Sequence, residues 1–183
     1  MIIWWGTFIC MAGAGTIVFH YGIQKAKRKS LRSMKSFEKP GEEWNPKKMK
    51  KYVKHAYFVI QECWRLLDPS YAEKYLSKSL AQSWTTKLEW MKVKHEKPIQ
   101  KRVQLLSVTP VSVWDDEGEE DASIVYLIHG RMIGYYINTD TLEVVRGKKI
   151  PESFYEYWTF IREDGRWVLN EIQQKDEVDV HEL

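Results

Sequence analysis

The first 23 residues, Met1 to Ile23, carry no Asp, Glu, Lys or Arg, and the segment that follows at once, Lys25-Ala-Lys-Arg-Lys-Ser-Leu-Arg32, is dense in positive charge. At 1.5 Å of rise per residue a helix of that length reaches roughly 35 Å, enough to cross a hydrocarbon core of about 30 Å. Ile2-Ile3-Trp4-Trp5 at one end and His20-Tyr21 at the other place amphipathic rings at headgroup depth, and Gly13-Ala-Gly15 gives a small-residue face between them. A cleaved secretory signal needs basic residues before the apolar stretch and a small-residue cleavage site after it, and neither pattern is present. The sequence therefore predicts a single-pass anchor over 1–23. Cations gather on its C-terminal side alone, which puts the N-terminus outside and the rest of the chain on the inner side.

The net charge of +3 conceals an asymmetry. Residues 24–54 hold twelve Lys or Arg against three Glu, and the remainder of the chain, 55–183, holds sixteen against twenty-two. A generally basic nucleic-acid binder is not built this way, whereas a local basic segment beside a membrane is. Lys25, Lys27, Arg28, Lys29 and Arg32 are the candidate lipid-headgroup contacts, each worth about 1 kcal/mol against an anionic leaflet. The plain alternative is a solvated tether that only sets topology. The predicted organisation is an anchor over 1–23, a basic juxtamembrane linker over 24–45, one domain over 46–175 and an acidic tail over 176–183. Of the two cysteines, Cys10 falls in the anchor and Cys63 in an amphipathic helix, so neither reads as half of a disulfide framework.

Pro40-Gly41 interrupts the basic stretch, and Asn45-Pro46 supplies a capping residue followed by proline at the first helical position. Val53, Ala56, Tyr57, Ile60, Cys63, Trp64 and Leu67 then recur at helical spacing until Asp68-Pro69 stops the run. Ser70-x-x-Glu73 has capping-box spacing and opens a short second helix, and Leu80, Trp84, Leu88 and Met91 mark a third. After Pro98 the period changes. Val103 to Ser107, Val111 to Trp114 and Ile124 to Ile137 read as strands, with the acidic Asp115 to Asp121 as a solvated turn. Asn138-Thr-Asp140 is a further turn, and Glu163-Asp-Gly-Arg166 signals a hairpin between Phe154 to Arg162 and Trp167 to Gln173. Alternation puts Phe154, Glu156, Trp158 and Phe160 on one face of their strand and Tyr155, Tyr157 and Ile161 on the other, which implies a central strand. Three helices on a curved antiparallel sheet of four to five strands make an α+β fold of cone type.

Glu156-Tyr-Trp-Thr-Phe-Ile-Arg162, followed by Gly165-Arg-Trp-Val-Leu-Asn-Glu-Ile-Gln-Gln174, resembles the closing hairpin of the Tim-forty-four-like domain family. Ala56-Tyr-Phe-Val-Ile-Gln-Glu-Cys-Trp-Arg-Leu-Leu-Asp68 is similar to the family's first helix, with Cys63 where that pattern usually has alanine. The resemblance covers roughly residues 50–174. It implies a cystatin-like, nuclear-transport-factor-two-like cone with a cleft between helices and sheet, and the charge asymmetry of the anchor places that cone at the cytoplasmic or mitochondrial matrix face of a membrane. The family's better-known members are membrane scaffolds. This chain is short and lacks the long import-partner-binding region of the mitochondrial protein.

The catalytic inventory is thin. His129 is the one histidine with a strand position suited to a cleft, and Glu156 and Glu171, on the two strands of one hairpin, are the one acid pair. Glycine-rich phosphate loops, Cys/His metal spacings and nucleophile elbows are not found in the sequence. The expectation is a non-enzymatic, membrane-anchored scaffold without cofactor or metal, which holds a protein partner or an apolar segment through Trp84, Trp90, Tyr135 and Trp158. A cone domain of a secretion or conjugation complex, or a ribosome tether whose basic linker meets ribosomal RNA, are the alternatives.

Overall fold

In the computed structural model of the chain, the described residues are 4–37, 44–115 and 122–175, with side chains described from Val18 onward. α1 runs from Trp4 to Phe37. Asn45 caps α2 (Pro46–Leu66), its side chain accepting hydrogen bonds from the Lys47 and Lys48 amides, and Pro46 occupies the position where a missing N–H costs nothing. Val53, Ala56, Tyr57, Ile60 and Cys63 are buried as their spacing predicts. The next element differs from expectation: it is a 3-10 turn, Pro69–Tyr75, capped by Asp68 and not by Ser70. Pro69 fixes the first helical position one residue upstream of the anticipated cap, and the Asp68 carboxylate accepts from the Ser70 amide. α3 (Lys78–Val93) starts at Ser77 and buries Trp84, Leu88 and Met91.

Five antiparallel strands follow: β1 (Glu96–Trp114), β2 (Ser123–Asn138), β3 (Val144–Gly147), β4 (Glu152–Glu163) and β5 (Arg166–Gln174). Their order is β1-β2-β4-β5, with β3 paired to β2 beyond the start of β4. The two runs read separately in the sequence, Val103 to Ser107 and Val111 to Trp114, belong to the single long strand β1. Its register shifts at Lys101/Gln104, Leu105/Ser107 and Pro110/Ser112, and such bulges bend a strand without ending it. Asp164 (φ 51°) and Gly165 (φ 73°) form the two-residue turn that the Glu-Asp-Gly-Arg signal predicts. The acidic turn between β1 and β2 lies outside the described residues from 116 to 121, as do residues 38–43, which include Pro40-Gly41, and the tail at 176–183.

β4 is the central strand its two-faced aromatic pattern implies. Trp158 and Phe160 lie in the main core with Ile124, Tyr126 and Ile128 of β2, under α2 and α3. Tyr157, one residue along, is buried on the opposite face with Val111, Leu127 and Ile23. That second face carries a helical layer the sequence reading did not foresee. Residues 24–37, expected as linker, are the second half of α1, an unbroken helix of 34 residues. Its inward positions Phe19, Ile23, Ala26, Ser30, Met34 and Phe37 recur at three- and four-residue spacing, and the charges occupy the other side. Phe19 meets Tyr155 edge-on at 6.0 Å between ring centroids, and Phe37 stands 5.2 Å from Trp44, itself 5.0 Å from Trp167. α1 therefore runs along the sheet from Tyr155, near the start of β4 and midway along β1 and β2, to Trp44 and Trp167 beside the β4–β5 turn.

Among the described residues no helix is long and apolar enough to cross a membrane. Of the anchor expected over 1–23, residues 1–3 lie outside the described residues and for 4–17 only the backbone helix is described. From Phe19 onward the helix is committed to the sheet, so the expected boundary at residue 23 moves back: Ile23 is a core residue of the domain.

Candidate binding cavity and charged helix

β4 pairs with β2 as far as Met132, and β3 takes over only at Tyr135. Ile133 and Gly134 thus have a strand neighbour on the β1 side alone, and a cavity of about 390 Å³ occupies the gap. That volume lies in the range that small ligands or inserted side chains fill. Its walls include Pro98 and Ile99 of β1, Met132, Tyr135 and Tyr136 of β2, and Phe154 of β4, with Glu152 at the β4 corner. Phe154 is pressed over β2 because its partner in register is Gly130, where an added Cβ would stand 2.3 Å from the Phe154 ring. The rim is cationic: the Arg146 guanidinium lies 3.7 Å from the Tyr136 ring centroid and 3.2 Å from Glu96, and the Lys149 ammonium lies 5.6 Å from the Tyr135 ring. Gln100 donates to Gln61 at 2.9 Å and ties this end of β1 to α2.

Further along the same face, Glu156 accepts from Trp158 Nε1 at 2.9 Å and from Gln174 Nε2 at 3.1 Å. Burial, and after it the Glu156 carboxylate, pushes the Tyr57 phenol well above its ordinary range. Burial also raises Tyr126, whose hydroxyl finds no partner in the core. The Glu156 contacts are polar contacts of a packed sheet.

The four binding candidates from the sequence are not brought together. Tyr135 lines the cavity. Trp158 is fully buried and Trp84 nearly so, the latter packed at 5.0 Å against Trp64, so both serve the core. Trp90 stands 58 % exposed on α3 with Lys94 near its ring. The catalytic candidates separate as well. His129 faces the α1 side of the sheet, stacked on Tyr155 at 4.1 Å, and desolvation holds its pKa below the usual histidine value. Glu156 pairs in register with Gln174 and Glu171 with Thr159, and alternation sends the two carboxylates to opposite faces. Among the described residues no group of three or more His, Cys, Asp or Glu is placed to hold a metal ion.

Of the headgroup candidates, Lys25, Arg28, Lys29 and Arg32 are exposed on the outward side of α1, while Lys27 is half-buried on its flank. What the sequence reading missed is the cavity wall itself. Pro98 and Phe154 carry no binding signature, and the interruption of strand pairing around Gly134 creates the space.

The sequence matches the Tim44-like domain over residues 29–174, a match that begins inside α1 and not at the expected domain start of 46. No curated protein matches the chain. Among solved structures, the intermembrane space region of the chloroplast protein ARC6 is similar in fold, with a TM-score of 0.50 at 10 % identity over 68 % of this chain and 95 % of that one. A polyketide cyclase described as putative, from Xanthomonas campestris pv. campestris, aligns at a TM-score of 0.32 and 12 % identity over 67 % of this chain and 91 % of that one. With the domain match extending from the first helix to the last strand, the chain belongs to the Tim44-like domain family.

Proposed function

We propose that this protein is a membrane-anchored, non-enzymatic scaffold whose domain lies at the inner face of the membrane and receives an apolar segment of a protein partner in the cavity beside Tyr135. The observation that carries the reading is α1. One unbroken helix joins the uncharged N-terminal stretch to the sheet through Phe19 and Ile23, so an anchor and a folded domain are parts of the same rigid element. The family's membrane association supports the placement. Lys25, Arg28, Lys29 and Arg32, on the side of α1 away from the sheet, contact anionic headgroups, with Lys25 nearest the bilayer. Scaffolding fits better than catalysis because the cavity offers aromatic and aliphatic walls without an unpaired acid or base.

Sealed vesicles carrying the full chain test this. The expected result is that alkaline carbonate leaves the protein in the membrane fraction, and that external protease spares the domain until the vesicles are opened. A chain that stays in the supernatant without detergent overturns the anchor, and a domain digested from outside overturns the orientation. A photo-crosslinker placed at Tyr135 and captured on no second protein in the native membrane counts against the scaffold.

A further inference from the structure

We infer that the outward side of α2 is a docking surface for an acidic helical segment of a protein partner, met by Lys47, Lys51 and Lys54 and closed by Phe58. Between Pro46 and Gln61 the helix carries five lysines, one histidine and no acid. Lys47, Lys51, Lys54 and Phe58 follow one another at four-, three- and four-residue spacing, so they form one line along α2. The buried stripe through Met49, Val53, Ala56 and Ile60 runs on the opposite side, against the sheet. All four members of the line are exposed, Phe58 by 48 %. At 1.5 Å of rise per residue the three lysines span roughly 10 Å, and the ring follows about 6 Å further on.

Such a helix end works against its own stability. The first turn is the positive pole of the backbone dipoles and suits carboxylates, yet Lys47 and Lys48 stand there and no acid does. Lys47 with Lys51, Lys50 with Lys54, and Lys51 with Lys54 are like charges at three- or four-residue spacing, which adds repulsion. Among the described residues none of the five lysines enters an ion pair. Charge held against the preference of its own helix, and left unneutralised by the domain around it, marks a surface kept for a partner. α2 lies over Trp158 and Phe160, and the middle of α1 lies over Tyr157 on the opposite face of the sheet. The α2 lysines therefore look away from the side that carries Lys25, Arg28, Lys29 and Arg32, and the inference depends neither on the anchor nor on the cavity.

The pattern sets the partner's chemistry. One turn past Phe58 the line reaches Glu62, which is bound to Arg65, so the cationic run stops after three charges. A polynucleotide continues past such a run and brings its phosphates onto the Glu62 carboxylate, whereas a short acidic segment ends there. Acids at the same four- and three-residue spacing on a partner helix face the three ammonium groups, and an apolar residue one turn beyond covers Phe58.

The test places the photo-crosslinker benzoylphenylalanine at Phe58 of the full chain, in the cells that make it, and identifies the cross-linked peptide by mass spectrometry. The expected adduct is with another protein, through a peptide that holds three Asp or Glu within about ten residues, two to three helical turns. Its yield falls severalfold in Lys47→Glu with Lys51→Glu and Lys54→Glu, and is kept when the same three lysines become arginine. The unfolding midpoint of the glutamate variant holds or rises, because carboxylates then replace cations at the positive pole. A fall in that midpoint overturns the inference, since the lysines then serve the fold. A nuclease-sensitive adduct or a phospholipid adduct overturns it by naming another class of partner. An adduct with this chain's own sequence does so too, because the protein then supplies its own acids. A yield indifferent to charge reversal, or no adduct at all, also overturns it. Loss of the anchor, or failure of capture at Tyr135, changes none of these outcomes.

Discussion

The two faces of the sheet are covered by helices that do different work. On one face α2 and α3 close a continuous core that includes Tyr57, Leu88, Tyr126, Trp158, Phe160 and Leu169, with aromatic pairs Trp44–Trp167 and Trp64–Trp84. On the other, the middle of α1 covers a small cluster of Ile23, Val111, Leu127 and Tyr157, while its last turns reach the main core through Met34 and Phe37. Buried apolar area stabilises by about 25 cal/mol per Å², so the first face supplies most of what holds the domain folded and the second supplies a docking contact for one helix. The thinner side is also the one joined to the N-terminal stretch. A domain whose core lies mainly under α2 and α3, with α1 fixed to that core at Met34 and Phe37 and lying more thinly on the sheet towards Phe19, is the division of labour this implies.

The largest effect is therefore expected at Trp158, on the central strand and without exposed surface. Trp158→Ala removes an indole from a packed core and takes away a donor to Glu156, which costs about 3–5 kcal/mol. The denaturant midpoint of the whole domain checks it, and a loss smaller than that of a matched truncation on the α1 side breaks the comparison. Ile23→Ala is that truncation. It falls at the low end of the buried range, about 2 kcal/mol, because its cluster is small and one side of α1 already faces solvent. The expected signature is local: amides of α1 exchange faster and protease cuts near residues 24–37, while the unfolding midpoint measured on the Trp158 side barely moves. A full shift of that midpoint would mean the two faces are one cooperative unit.

The thick face was legible in the sequence and the thin one was not, for a physical reason. Val53 to Leu67, Leu80 to Met91 and Phe154 to Phe160 bury one side against another element of the same domain, so periodicity alone exposes them. α1 carries the same stripe, Phe19, Ile23, Ala26, Ser30, Met34 and Phe37, through the most basic part of the chain. Charge density there reads as solvated linker, although charges on one side of a helix say nothing about the other side. Met34, fully buried among residues called a tether, was the available signal. β3 escaped notice because its four residues are all exposed, and the cavity because it depends on which stretches of β2 are paired rather than on any residue type.

A smaller effect separates the elements within the thick face. Asn45→Ala removes the side-chain acceptor for the Lys47 and Lys48 amides, which costs about 1 kcal/mol. Because α2 lies in the main core, that loss shifts the global midpoint, in contrast to Ile23→Ala. Asn45→Ser recovers most of it, since a hydroxyl oxygen serves the same amides.

Acid sharpens the comparison from the other side. His129 lies on the α1 face, stacked on Tyr155 at 4.1 Å, and the ring of Tyr155 in turn meets Phe19 and lies 5.7 Å from the Lys175 ammonium. Desolvation lowers the His129 pKa in the folded state, while the unfolded chain keeps the ordinary value of about 6.5. The unfolded state thus binds more protons across the interval between the two values. Stability from this site is complete above about pH 6.5 and is lost as pH falls from there through the folded value. The imidazolium that forms is placed beside Tyr155 near an existing cation, so the loss appears first in α1 docking. Protease cleavage within 24–37 is expected to rise on acidification in the native chain and to stay flat in His129→Phe, which keeps the stacked ring without the proton site. An equal rise in both would assign the acid response to the carboxylates of the thick face, and the thin face would then have no pH sensitivity of its own.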